Sequence, residues 1–213
     1  MSLQSMSIRS KMVAAFSVLA LLLLGIGALG LLGTQRMREQ ALEIETNWLP
    51  SVRLLGEIDT LTARTSGSML RHTQATDPAL LASIEKDTER FGKKLDEKKA
   101  LYERMIASPG ERALYETFTR EFRTFETVRD AVLEISRKGQ KAEAFALYES
   151  KGIIPRRAAS VALDKLIAIN NEGAAQAQAR SKDTYENTWT WGCLLYTSPS
   201  PRDRTRSRMP SSA

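Results

Sequence analysis

The sequence predicts an all-α protein, a membrane-anchored, elongated antiparallel four-helix bundle. Three observations carry that reading. First, Met12–Gly33 holds 22 residues without a charge, with Ser17 as its one clearly polar side chain. That matches the ~20 apolar residues a helix needs to cross a bilayer and exceeds the ~7–15 of a secretory signal. Second, apolar residues after it recur in steps of three and four, the spacing of a helix buried along one side. Third, no stretch alternates with period two for long enough to make a strand.

The elements follow in order. A first helix continues out of the apolar run from Thr34 to about Ala75. Its seam is Met37, Ala41, Ile44, Trp48, Val52, Leu55, Ile58, Thr62, Ser66 and Met69. Pro50 lies inside it and predicts a kink or an unsatisfied carbonyl, because proline has no N–H and its ring crowds the preceding turn. Asp77-Pro78 reads as the cap and first-turn proline of a second helix, with the stripe Leu81, Ile84, Thr88, Phe91, Leu95, Tyr102 and Met105. Ser108-Pro109-Gly110-Glu111 reads as a capping box opening a third helix, which carries Leu114, Phe118, Phe122, Phe125, Val128, Val132 and Ile135. Gly139 should end it. A short helix over Gln140–Lys151 is expected to break at Gly152–Pro155, where Pro155 opens a fourth long helix reaching Trp189 and Trp191.

Composition removes several function classes. From Cys193 the character changes, and residues 193–213 resemble an in-frame translation of a transposase-type library adapter. They are set aside from fold reasoning and expected to be irregular and unpacked. That stretch holds the only cysteine and half of the formal net charge of +6. Residues 34–192 carry 25 basic and 24 acidic side chains, so a nucleic-acid partner loses its electrostatic basis. With Cys193 discounted and His72 the single histidine, thiolate sites, disulfides and His-pair metal sites drop out, and no cofactor is expected. No residues pair a nucleophile or acid with a base, so an enzyme is not expected.

A ligand site is expected at the far end of the first helix. There the seam gives way to small and hydroxylated residues, among them Thr65 and Ser68, which bury little apolar area. Arg64 and Arg71 are seven apart on one face, with His72 beside them. Equal rises from residues 33 and 191 set Arg64 level with residue 160 and Arg71 with about 153, which brings Arg156, Arg157 and Ser160 near. The last three are read at the start of the fourth helix, where free backbone donors favour anions. The expected ligand is a small carboxylate. Each arginine alternatively serves a solvated face or an ion pair, His72 alternatively ends its helix, and the small-residue cluster alternatively seats a second copy in a homodimer.

A short N-terminus, a membrane helix, Asn47-Trp48-Leu49-Pro50-Ser51-Val52, a helical domain with the Ser-Pro-Gly-Glu-Arg turn and the Trp189/Trp191 flank resemble the sensory half of bacterial methyl-accepting chemotaxis receptors. The resemblance covers roughly residues 8–192. It implies a four-helix-bundle domain that binds small anions through first-helix arginines, often across a homodimer interface, and transmits them by helix displacement. It also implies plasma-membrane localisation, with 1–11 as a short cytoplasmic N-terminus, 12–33 spanning and 34–192 periplasmic. The family's second span and cytoplasmic signalling hairpin have no counterpart here, so signalling partners are expected of a longer protein. Input domains of sensor kinases or cyclases, and a ligand-free membrane-tethered scaffold, are the alternatives.

Overall fold

From Ile8 to Gln74 the backbone is helical without a break in the computed structural model, which describes residues 7–196. The path comprises α1 (Ile8–Glu43), a π-helical turn at Ile44–Trp48, and α2 (Leu49–Gln74). Then come α3 (Pro78–Glu103), α4 (Pro109–Arg137) and α5 (Lys141–Leu147). A second π-helical turn at Tyr148–Gly152 leads into α6 (Ile153–Tyr196). No strand occurs among the described residues.

The chain divides into two compact units. Among the described residues, 43–176 form one, and 7–42 with 177–196 the other. In the second of these, α1 is long and apolar enough to cross a membrane, and its leucines stand exposed, Leu24 at 70% and Leu31 at 74%. Trp189 is exposed, while the side chain of Trp191 lies outside the described residues.

The unit 43–176 is an antiparallel bundle of α2, α3, α4 and the first half of α6, with α5 joining the last two. Its core holds Leu55, Ile58 and Met69 of α2, Leu95 and Tyr102 of α3, and Leu163 and Leu166 of α6. An aromatic ladder on α4 runs through it. Phe118 stacks on Phe122 with centroids 5.7 Å apart, and Phe122 meets Phe125 at 5.8 Å.

The helix starts are local chemistry. The Asp77 carboxylate accepts the Ala79 N–H at 3.2 Å. At Ser108 the capping box is complete. The Glu111 N–H donates to Ser108 Oγ at 3.2 Å, and the Ser108 N–H donates to Glu111 Oε2 at 3.1 Å. Gly139 ends α4 at φ +81°, a left-handed conformation that glycine adopts without a Cβ clash.

One expectation fails: Gly152–Pro155 do not end the short helix. At Pro50 too the helical path continues, and in both places a wide turn precedes the proline. The Leu49 N–H bonds Ile44 O and the Ile153 N–H bonds Tyr148 O, both spanning five residues. One extra residue per turn removes the obligation of a carbonyl to meet the missing proline N–H. Gly152 makes room rather than a break, since a Cβ there would collide with the Tyr148 ring. Gly173 likewise lies under the Trp48 ring.

The expectation that residues from Cys193 are irregular also fails in part. α6 continues through Cys193 to Tyr196, and 197–213 lie outside the described residues.

Candidate functional site

The eight expected contact residues do not share one surface. Arg64 and Arg71 are exposed, whereas Thr65, Ser68 and His72 are buried. Positions 65, 68 and 72 sit one step round the helix from 64 and 71, and that step crosses from solvent to core. The hydroxylated cluster is therefore interior packing. Thr62 donates to Ile58 O at 2.8 Å, Thr65 to Leu61 O at 2.9 Å, and Ser66 to Thr62 O at 3.1 Å. Each hydroxyl satisfies itself one turn back, which lets it be buried at little cost.

Arg156 and Arg157 are not at a helix start. The helical path through α5 and the π-helical turn precedes them, so the backbone donors there are already used. Arg157 is exposed, while Arg156 and Ser160 are half-buried; the Arg156 Nε is enclosed without a hydrogen-bond partner. Trp48 over Gly173 and the neighbouring Asp59 and Asp164 set the α2–α6 register, which puts Arg64 level with about residue 158.

His72 is the hub of a buried polar network. Its Nδ1 lies 2.8 Å from Ser136 Oγ and its Nε2 3.2 Å from Glu85 Oε1. Lys141 Nζ donates to His72 O at 3.0 Å and to Ser136 Oγ at 2.9 Å, and Arg137 Nε donates to Glu85 Oε1 at 2.7 Å. In a neutral ring with Nε2–H donating to Glu85, Nδ1 accepts the Ser136 hydroxyl proton, for which His72 O at 3.0 Å is the competing acceptor. At 0% exposure His72 ties the ends of α2 and α4 to α3 and α5, and both nitrogens are taken.

Burial is the largest influence on its titration and pushes it below 6.5; Lys141 and Arg137 act in the same direction, and Glu85 opposes them. The unfolded chain then binds more protons than the native one just under pH 6.5, so stability should fall as pH drops from 6.5 towards the native pKa. Glu85, held below the usual carboxylate range chiefly by Arg137, contributes only below about pH 4.5. Thermal melts between pH 7.5 and 5 should show Tm decreasing, with a flatter profile for His72→Gln. Equal slopes for both proteins would show that another group titrates.

One expected residue does line a cavity. Arg64 borders a cleft of about 460 Å³ between α2 and α3. Arg53 and Glu57 of α2 and Lys94 and Lys98 of α3 complete its charged rim, with Gly56 and Thr60 as its low floor. Four cations thus face one carboxylate. Lys98 Nζ meets Glu57 Oε2 at 2.7 Å and Arg53 Nε meets Oε1 at 3.4 Å. Lys98 above all holds the Glu57 carboxyl below the usual range. The Arg64 guanidinium lies over the Phe91 ring, 5.8 Å from its centroid. Among the described residues, neither Arg64 nor Lys94 has an acidic side chain in ion-pair range. Such a cleft can hold a small anion against several cationic donors.

Arg53, Lys94 and Lys98 were not legible as site residues. Arg53, Gly56, Thr60 and Arg64 follow helical spacing on α2, and Lys94 and Lys98 are one turn apart on α3. What unites the two rows is the antiparallel register that sets Glu57 against Lys98 and Arg64 against Phe91.

Comparison with known proteins agrees with this architecture. Residues 5–185 match the family described as a four helix bundle sensory module for signal transduction. The Bacillus subtilis (strain 168) protein YvaQ, whose name describes a sensory transducer, is 22% identical over 195 residues. The match takes in 89% of this chain and 33% of YvaQ, so the chain spans about a third of that relative's length. The chain belongs to the four-helix-bundle sensory modules of signal transduction, of the methyl-accepting chemotaxis type.

Proposed function

We propose that this module is the sensory part of a transmembrane chemoreceptor and binds a small organic anion at Arg64. The observation that carries the reading is the cationic α2–α3 cleft, where an arginine and a lysine without acidic partners stand on facing helices. The exposed leucines of α1 support a membrane span, since soluble surfaces do not carry a continuous apolar sleeve of that length. In this reading the bundle lies on the extracytoplasmic side and works as a homodimer. On α2, exposed Ala63 and half-buried Gly67 support close approach of a second copy.

The output is a displacement of α6, one unbroken helix from Ile153 to Tyr196. A ligand changes its position only by binding two positions with different affinity. Helices sliding at packed interfaces move by ~1–2 Å. Signalling partners then belong to the longer protein.

The chain in detergent micelles, titrated with small mono- and dicarboxylates, tests this. A bound anion at 100 times its Kd should add about 2.7 kcal/mol of stability, read as a rise in Tm. Arg64→Ala should remove the rise with unchanged far-UV circular dichroism. Arg71→Ala, outside the cleft, should keep it. A rise that survives Arg64→Ala would move the ligand elsewhere, and no rise with any anion would remove the anion reading.

A further inference from the structure

Glu57 occupies its cleft much as a ligand group would. Its carboxylate is held by Lys98 from one helix and Arg53 from the other, while Arg64 and Lys94 stand open further along. The cleft is thus half filled by the protein itself. Gly56 leaves open space at its floor, with no atom within 4 Å of where a Cβ would stand. Thr60 turns its hydroxyl proton away, onto Gly56 O at 2.9 Å.

We propose that Glu57 is an internal competitor for the cleft, and that its ligand is an anion with two charged groups about one helical turn apart. Resting on Arg64 as an anion contact, the inference concerns how the same site selects. One group lies between Arg64 and Lys94. The second takes the Lys98 and Arg53 contacts, and the Glu57 carboxylate swings out to solvent. Lys94 and Lys98 are four residues apart, about 6 Å along the axis at ~1.5 Å per residue, which fits a short dicarboxylate such as glutarate, whereas the two phosphoryl groups of pyrophosphate share an oxygen and stand closer together. A monocarboxylate has no second group with which to displace Glu57, so it gains only the Arg64–Lys94 end. Selectivity for charge number then comes from a carboxylate of the protein. The Glu57 side chain is about a third exposed, so it can leave its partners without opening the core.

The probes are glutarate, pyrophosphate and acetate, titrated calorimetrically into the full chain in micelles. Glu57→Gln should bind glutarate about fivefold more tightly than the unaltered protein, because exposed ion pairs of modest strength no longer compete. Acetate affinity should change little. Lys98→Ala should weaken the dianion and leave acetate unchanged, whereas Lys94→Ala should weaken both. Tighter binding of pyrophosphate than of glutarate would overturn the one-turn spacing. Weaker dianion binding by Glu57→Gln, or equal binding of acetate and dianions, would overturn the competitor role while leaving the anion site standing. Absence of binding by any probe to either protein would overturn both.

Discussion

Phe122→Ala should lower the free energy of unfolding by about 3–5 kcal/mol, the range for truncating a buried aromatic side chain. The ring is 1% exposed and lies between Phe118 and Phe125, at 5.7 and 5.8 Å. Removing it deletes apolar area and leaves a cavity that its neighbours on the same helix cannot close without leaving their rotamers. Urea unfolding followed at 222 nm reads the effect, with the midpoint lowered and the slope kept. A loss under about 1 kcal/mol would mean that the ladder collapses onto the gap and that the core is far more plastic than its packing implies.

Glu111→Ala should cost about 2–4 kcal/mol, well above the ~1 kcal/mol of an ordinary helix cap. Glu111 is 2% exposed although it sits in the first turn of α4. Oε2 accepts the N–H groups of Ala107 and Ser108, both at 3.1 Å, and the Ser108 hydroxyl at 3.2 Å. Oε1 accepts Asn170 Nδ2 at 3.0 Å and the Tyr102 hydroxyl at 3.4 Å. One carboxylate therefore closes the α3–α4 turn and also ties it to α6. Truncation strands several buried donors, and each unsatisfied one is costly. Ser108→Ala, which loses the cap and the hydroxyl bond to Glu111 but keeps the Glu111 contacts to Tyr102 and Asn170, is the comparison to make in the same unfolding experiment. Equal losses from the two substitutions would show that the contacts to Tyr102 and Asn170 add nothing to the cap.

Features confined to a few neighbouring residues were legible. Asp77, Ser108 and Gly139 act on groups within three or four positions, so their roles survive whatever the rest of the chain does. The stripes through Leu55 and Ile58, Ile84 and Leu95, and Phe118 and Phe122 were legible because one repeating angle decides which side of a helix is buried. Pro155 was misread as a helix start because a wide turn can absorb a proline when neighbours pack over it, and such packing is not local. The hydroxylated residues Thr62, Thr65, Ser66 and Ser68 of α2, expected at a ligand site, are interior in this fold. Their polarity was plain, but their bonds to the preceding turn depend on a helix already buried on that side.

The sequence by itself determined the class, the caps, the buried stripes and the apolar run, all set by spacing and side-chain chemistry along one chain. Only the tertiary structure decided which charges meet. Arg64 was visible as a cation on an exposed face, and nothing near it in sequence announced Lys94 or Lys98, some thirty residues on. They share a cleft because α3 runs back along α2 in one register, fixed where Glu57 meets Lys98 and Arg64 covers Phe91. The same register separated Arg64 from Thr65, Ser68 and His72, adjacent or nearly so in the chain, by turning one set to solvent and the other to the core. A helix sorts residues by angle, but only its neighbours decide which angles become a core and which become a site.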